Sequence, residues 1–212
     1  MSTHFRSGDH QSSNTRQQLR LQIRQQRQQL DPQTQHLSAL AVTACVLQQR
    51  WFQLAQRVAF YLPADGEIDC RLLLQQALKM GKQVCLPVVS PLSAQHMHFV
   101  RVRCGQTLSA NRWGLYEPAL RRADIIPPMT LDLVFVPLVG FDQLGNRLGM
   151  GKGFYDRAFA FRRQSLHRPQ RRLPQLAGLA HDCQQLPRIP AQHWDVPLDR
   201  VVTPSGCINT GP

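Results

Sequence analysis

Apolar positions along this chain repeat with two periods that take turns, and the alternation predicts its architecture. From Arg16 to Leu30, Leu19, Ile23 and Leu30 fall on one helical stripe, with Arg16, Arg20 and Arg24 every four residues on the neighbouring stripe. Asp31-Pro32 reads as the cap and first turn of a second helix over about 32–55, carrying Leu37, Leu40, Ala41, Ala44 and Leu47. Strands are predicted at Val58–Leu62, Val84–Val89, the alternating segment Met97–Val102, the apolar run Leu131–Val139 and Leu176–Ala180. A helix near 69–80 separates the first two strands, and another is expected after Lys152. Such alternation implies a three-layer α/β fold, its parallel or mixed central sheet covered by helices on both faces. Residues 15–205 are expected to form one domain. Residues 1–14 read as a polar disordered tail, 206–212 as a flexible C-terminal tail, and 162–175 as a mobile Gln- and Arg-rich loop.

At 212 residues the chain can bury a sizeable core without disulfides or a structural metal. Its six cysteines are scattered, with no Cys-x-x-Cys pair, which points to reduced thiols in a cytoplasmic protein. No apolar run approaches the ~20 residues that cross a membrane, and Met1 to Thr15 lacks the apolar segment of a signal peptide. The net charge of +12 comes largely from two windows without acids. One holds Arg16, Arg20, Arg24 and Arg27, the other Arg157, Arg162, Arg163, Arg168, Arg171 and Arg172. Such charge could serve RNA, attract small polyanions, or be plain solvated surface. No aromatic stacking pattern accompanies the arginines, which ranks nucleic acid below the other two readings.

The chemistry concentrates in the run Gly140-Phe-Asp-Gln-Leu-Gly-Asn-Arg-Leu-Gly-Met-Gly-Lys-Gly-Phe-Tyr-Asp-Arg157, directly after the most apolar predicted strand. Gly140, Gly145, Gly149, Gly151 and Gly153 stand among two cations, Arg147 and Lys152, and two carboxylates, Asp142 and Asp156. A loop so built lets backbone amides approach an anion, lets cations neutralise phosphate, and offers a carboxylate to a divalent metal. It is not a Walker A loop, because Gly153 follows Lys152 where Ser or Thr is needed. Nor is it a dinucleotide fingerprint, because Phe154 stands where the third glycine belongs. Asp142 reads as a turn former. In an open Rossmann-like sheet, ligands collect beyond the carboxyl ends of the strands. The glycine-rich loop and the segment Leu62-Pro-Ala-Asp-Gly-Glu67 are both predicted to leave such ends and to share one rim.

The motif Gly140-Phe-Asp-x-x-Gly-x-Arg-Leu-Gly-x-Gly-x-Gly-Phe-Tyr-Asp156 resembles the 5-formyltetrahydrofolate cyclo-ligase (5,10-methenyltetrahydrofolate synthetase) family. Further matches keep the family's order. They are Arg16-Gln-Gln-Leu-Arg20, Phe60-Tyr-Leu-Pro-Ala-Asp-Gly-Glu67, Gly81-Lys-Gln-Val-Cys-Leu-Pro87, Trp113-Gly-Leu-Tyr-Glu-Pro118, His181-Asp-Cys183 and Trp194-Asp-Val-Pro-Leu-Asp-Arg-Val-Val-Thr-Pro204. The resemblance implies an ATP-dependent ligase that closes 5-formyltetrahydrofolate to 5,10-methenyltetrahydrofolate. Its partners would be ATP, magnesium and a folate that could carry a polyglutamate tail, acting on a cytoplasmic monomer.

The resemblance also implies residue roles. Arg147 and Lys152 would be the catalytic cations. ATP would be held by Arg16, Arg20, Arg147, Leu148, Gly149, Met150, Gly151, Lys152, Gly153, Phe154 and Tyr155. Folate would meet Leu62, Glu67, Trp113, Met150, Gly151, Lys152, Gly153 and Phe154, with Glu67 accepting paired hydrogen bonds from the pterin edge. Asp156 and Asp195 would be the magnesium carboxylates. Three positions depart from the family pattern: Arg16 replaces a lysine, Met150 a frequent basic residue, and Phe154 a tyrosine. No Ser-His-Asp or Cys-His nucleophile emerges. His181 is a candidate general base, though a histidine beside Asp182 is more often structural. Two rival readings follow from the same residues, an RNA-binding module and a relative that keeps the nucleotide site but acts on another substrate.

Overall fold

The computed structural model describes residues 7–90, 93, 95–110, 116–164 and 173–210, the side chains of 7–14 and 164 excepted. In chain order, the first half holds α1 (Ser7–Gln28), α2 (Pro32–Gln48), α3 (Arg50–Leu54), β1 (Arg57–Ala59), α4 (Arg71–Lys79), β2 (Gln83–Val89) and β3 (Met97–Val102). Short strands follow as β4 (Ser109–Ala110), β5 (Tyr116–Glu117) and β6 (Ile125–Ile126), then β7 (Leu133–Val136) and the hairpin β8 (Gly140–Phe141) and β9 (Arg147–Leu148). The chain closes with α5 (Phe154–Ala158), α6 (Phe161–Gln164), β10 (Gln175–Leu179), β11 (Arg200–Thr203) and β12 (Gly206–Asn209). Among the described residues, eight strands make one sheet in the order β12-β11-β10-β7-β1-β2-β3-β6. The five strands from β11 to β2 run parallel, and β12, β3 and β6 pair antiparallel at the margins.

Strand alternation sorts side chains into two cores. Val58 and Phe60, Leu133 and Phe135, and Ala177 and Leu179 face α2, α3 and α4, which contribute Val42, Val46, Phe52, Leu73 and Ala77. Ala59, Val134, Val136 and Leu176 face the other way and bury Phe159 and Leu198. Every residue of β7 is buried, as a central parallel strand requires, and Pro137, which has no N–H for the ladder, follows its last residue. A third cluster lies beyond the carboxyl ends of the strands, where Ile23 of α1 packs with Val139, Leu148, Leu186 and Ile189.

The predicted elements are present with shifted ends, and some expectations need correction. The second helix breaks at Gln49, whose extended backbone (φ −79°, ψ 128°) separates α2 from α3 and lets Phe52 into the core beside Phe135. The C-terminal tail is not loose through 206–209. Those residues are β12, paired from Thr203↔Gly206 to Arg200↔Asn209, with Gly206 at φ +138° leading out of the turn. The first helix starts at Ser7, inside the expected tail, because no proline interrupts the run to Gln28; residues 1–6 lie outside the described part. Of the expected loop 162–175, residues 162–164 belong to α6 and Gln175 to β10, while 165–172 lie outside the described residues.

Candidate active site

The sheet order reverses at β1: β2 lies to one side, whereas β7, β10 and β11 lie to the other. Segments leaving the carboxyl ends of β1 and β7 therefore diverge and open a crevice between them. Here that crevice is a cleft of about 560 Å³, within the range of small-molecule sites. Leu62 and Glu67 enter it after β1, and Arg147 and Gly149–Asp156 after β7. Two segments more than seventy positions apart in sequence thus meet at one rim.

The hairpin that carries Arg147 is shaped by Asp142. Its fully buried carboxylate accepts the amides of Leu144 and Asn146 (both 3.0 Å) through Oδ1, and through Oδ2 the Asn146 side chain (3.0 Å) and the Ile189 amide (2.9 Å). Asp142 is a turn former, as expected, and no ligand. Arg147 is buried and donates both terminal nitrogens to Asp156 Oδ1 at 3.0 and 2.9 Å. Burial pulls its pKa down, and Asp156 opposes that. The loop beyond it reverses through Gly151 (φ +88°) and Gly153 (φ +64°), left-handed conformations that favour glycine. Lys152 is exposed, and its ammonium has no bond to a described residue, so it is a free cation at the cleft edge.

α1 closes the cleft from the side. Arg20 Nε donates to Gly149 O at 2.8 Å, fixing the start of the glycine-rich loop, and burial followed by neighbouring Arg16 lowers its pKa. Arg16 is buried and donates to Asp195 Oδ2 at 2.6 Å and to Pro190 O at 2.7 Å. Across the cleft, Glu67 Oε2 accepts the Ala64 amide at 3.2 Å. Burial pushes the Glu67 carboxyl up to about 7, with Ala64 and Arg27 pulling it back. Tyr155 stacks on Phe159 and meets Phe99 edge-on, leaving its hydroxyl buried without a partner among the described residues. Its burial raises its pKa, so it stays neutral.

The structure brings together Arg16, Arg20, Leu62, Glu67, Arg147, Gly149, Met150, Gly151, Lys152, Gly153, Phe154, Tyr155, Asp156 and Asp195 around this cleft. Leu148 does not join them. Its side chain is fully buried with Ile23 and Val139, and its carbonyl accepts Val139 N–H, so any role in ligand binding is indirect. Trp113 lies outside the described residues. His181 is buried away from the cleft lining at the start of a 3₁₀ turn, a structural place that removes it as a base acting in the cleft. Residue-by-residue reading passed over Tyr116 and Trp194, both largely exposed at the cleft mouth. Each lies in a segment quoted for the family resemblance, and its aromatic character was the available signal.

Asp156 and Asp195 share the cleft wall, but each already serves an arginine. Asp156 Oδ2 lies outside those bonds, and Asp195 Oδ1 is in a long 3.4 Å contact with Arg16. No group of three or more His, Cys, Asp or Glu that could hold a metal occurs among the described residues. This donor set fits a magnesium ion that takes one or two carboxylate oxygens and completes its shell from phosphate and water. It does not fit a metal held by protein alone.

The arrangement defines an α/β protein with a ligand cleft at its topological switch point, one wall a basic glycine-rich loop and the other a half-buried carboxylate. Comparison with known proteins gives the class a family. Residues 12–204 match the sequence profile of the 5-formyltetrahydrofolate cyclo-ligase family. The 5-formyltetrahydrofolate cyclo-ligase of Escherichia coli (strain K12) is 39% identical over 183 residues, 86% of this chain and 97% of that protein. The protein of the same name from Haemophilus influenzae is 38% identical over 183 residues, 86% of this chain and 94% of its own. The NMR structure of Aquifex aeolicus 5,10-methenyltetrahydrofolate synthetase aligns with a TM-score of 0.76 at 28% identity, covering 92% of both chains. The chain belongs to the 5-formyltetrahydrofolate cyclo-ligase family, as its motifs implied.

Proposed function

We propose that this protein uses ATP to close 5-formyltetrahydrofolate to 5,10-methenyltetrahydrofolate, releasing ADP and phosphate. The observation that carries the reading is the single cleft in which half-buried Glu67 faces the Gly149–Gly153 loop with Arg20 and Lys152. A formyl oxygen is a poor leaving group, so direct loss of water is slow. Transfer of the γ-phosphoryl group to that oxygen gives an iminium phosphate and ADP. N10 of the same folate then attacks the formyl carbon, the C–O bond breaks with phosphate leaving, and N10 loses its proton. This sequence asks the protein for alignment and charge stabilisation rather than for a nucleophile.

Lys152 and the loop amides meet the phosphates, and Arg20 holds the loop in register through Gly149. Arg147 acts from behind, orienting Asp156 through Oδ1. Glu67 orients the pterin by accepting its N–H groups, and the Tyr155 side chain lines the cleft. Leu62, Met150 and Phe154 supply apolar contact. Magnesium, held by Asp156 and Asp195, would supply charge neutralisation on the phosphates. The enzyme is a cytoplasmic monomer on this reading, and its folate can carry a polyglutamate tail.

The test is incubation with 5-formyltetrahydrofolate, with and without Mg-ATP, following the near-ultraviolet absorbance of methenyltetrahydrofolate. Product that requires both Mg and ATP supports the reading; absence of product with ATP binding intact points to another substrate. Lys152→Ala is expected to raise the KM for ATP roughly tenfold, and Glu67→Gln the KM for folate by a similar factor. Equal effects of either change on both substrates would remove the division of labour.

A further inference from the structure

Glu67 does not place itself. It closes a turn with Ala64 through Glu67 N→Ala64 O at 3.0 Å, and Asp65 (φ +52°) and Gly66 (φ +75°) occupy the centre. Two successive positive φ angles make this a type I′ turn, for which Asp-Gly is a preferred pair, so the turn itself asks no partner of Asp65. Yet the Asp65 carboxylate is held by three side chains from the last turns of α1. Arg24 Nε and Arg27 Nη2 each donate to Oδ2 at 2.7 Å, and Gln28 Nε2 donates to Oδ1 at 2.6 Å.

Arg27 has no exposed surface, and its aliphatic stem lies beneath Gly66. It also donates to Leu138 O at 3.2 Å, beyond the end of β7. A buried guanidinium needs an ionised partner, and Asp65 is that partner. The Glu67 carboxylate is folded back onto the Ala64 amide, so the depth of the turn sets the position of the carboxylate. The same helix reaches the opposite wall through Arg20 and Gly149.

We propose that Asp65 is a positioning residue, clamped by Arg24, Arg27 and Gln28 of α1 so that the Ala64–Glu67 turn presents Glu67 to the folate at a fixed depth. The inference rests on the reading of Glu67 as the folate anchor. It adds that α1 is the strut joining the folate and phosphate walls.

A merely turn-forming Asp65 would tolerate Asn, which adopts positive φ readily. A merely charge-balancing pair would tolerate Arg27→Met with Asp65→Asn, since both charges leave together. The variants to compare are D65N, R27M/D65N, E67Q and D65N/E67Q, with thermal melts to establish folding and KM and kcat for each substrate. The expected result is a folded R27M/D65N whose KM for 5-formyltetrahydrofolate rises on the order of tenfold, while KM for ATP moves no more than about threefold. D65N should add little to E67Q, because one acts through the other. Wild-type folate KM in D65N and R27M/D65N, with E67Q impaired, would overturn the clamp and leave Glu67 as the anchor. Independent, multiplying effects of D65N and E67Q would also overturn it. No folate effect in E67Q would overturn the anchor reading itself, and the clamp with it.

Discussion

Glu67 shows what one half-buried carboxylate costs and what it offers. Its pKa is up near 7 because burial disfavours the charge, and the groups around it are mixed: Arg27 opposes the shift and Asp65 adds to it. Tyr61, Cys70 and Tyr155 also feel its charge, and all three are themselves pushed upward by burial, hence neutral. A raised carboxyl binds a proton more tightly folded than unfolded, so its contribution to stability is full below about pH 4.5 and lost as pH rises through about 7. Glu67→Gln, which carries no charge at any pH, should therefore stabilise the ligand-free protein at pH 8 by about 1–3 kcal/mol and leave it near wild type at pH 5. Thermal melts at the two pH values check this, and an equal shift at both would contradict it. At this scale the sequence was legible for residue type and less so for commitment. Nothing in the string distinguishes Arg147, buried on Asp156, from Lys152, which is free, nor shows that Leu148 points into the core. Those outcomes depend on tertiary neighbours far along the chain.

Among elements, the period of apolar positions carried most of the fold. β7 and β10 were readable because buried parallel strands are short apolar runs, and α2 because Asp31 accepts the Thr34 amide at 2.9 Å with Pro32 behind it. β12 was hidden, since Gly-Cys-Ile-Asn is too short and mixed to show a period and becomes a strand only by pairing with β11. The β8–β9 hairpin was visible as glycine-rich, but its anchoring was not. Gly145 sits at φ +80° where an added Cβ would lie 2.5 Å from Leu198 O and 2.7 Å from Thr210 Oγ1. Its carbonyl meanwhile accepts the Leu198 amide at 2.9 Å. Backbone and a bonded hydroxyl cannot both retreat, so Gly145→Ala should cost at least about 2 kcal/mol and displace the hairpin bearing Arg147. Denaturant unfolding with ATP titration is the check. A variant of normal stability and ATP affinity would show that the hairpin yields more readily than this contact implies.

Over the whole molecule, the charge of +12 is spent unevenly. Arg16, Arg147 and Arg162 pair with Asp195, Asp156 and Asp199, and Arg24 and Arg27 share Asp65. Much of the arginine-rich first helix is therefore internal scaffolding, neither a solvated face nor a free surface for RNA. Several cations whose described bonds go only to carbonyls, or to nothing, lie about the glycine-rich loop. Arg20 bonds Gly149 O, Arg157 bonds Gln95 O and Lys152 O, and Lys152 itself ends free beside Arg163 and Trp194. Charges unpaired with acids set the field that an incoming anion feels, and a cleft focuses it. If these cations steer the proposed polyanionic substrates, kcat/KM for ATP should fall several-fold as salt rises from about 20 to about 300 mM, over which the Debye length shrinks from roughly 20 Å to 6 Å. Replacing Arg157 and Arg163 by Gln should flatten that dependence while leaving kcat close to wild type, because the change weakens encounter rather than chemistry. A steep salt dependence kept by the double variant would place the steering field elsewhere. A flat one in the wild type would mean that the excess charge serves the interior alone.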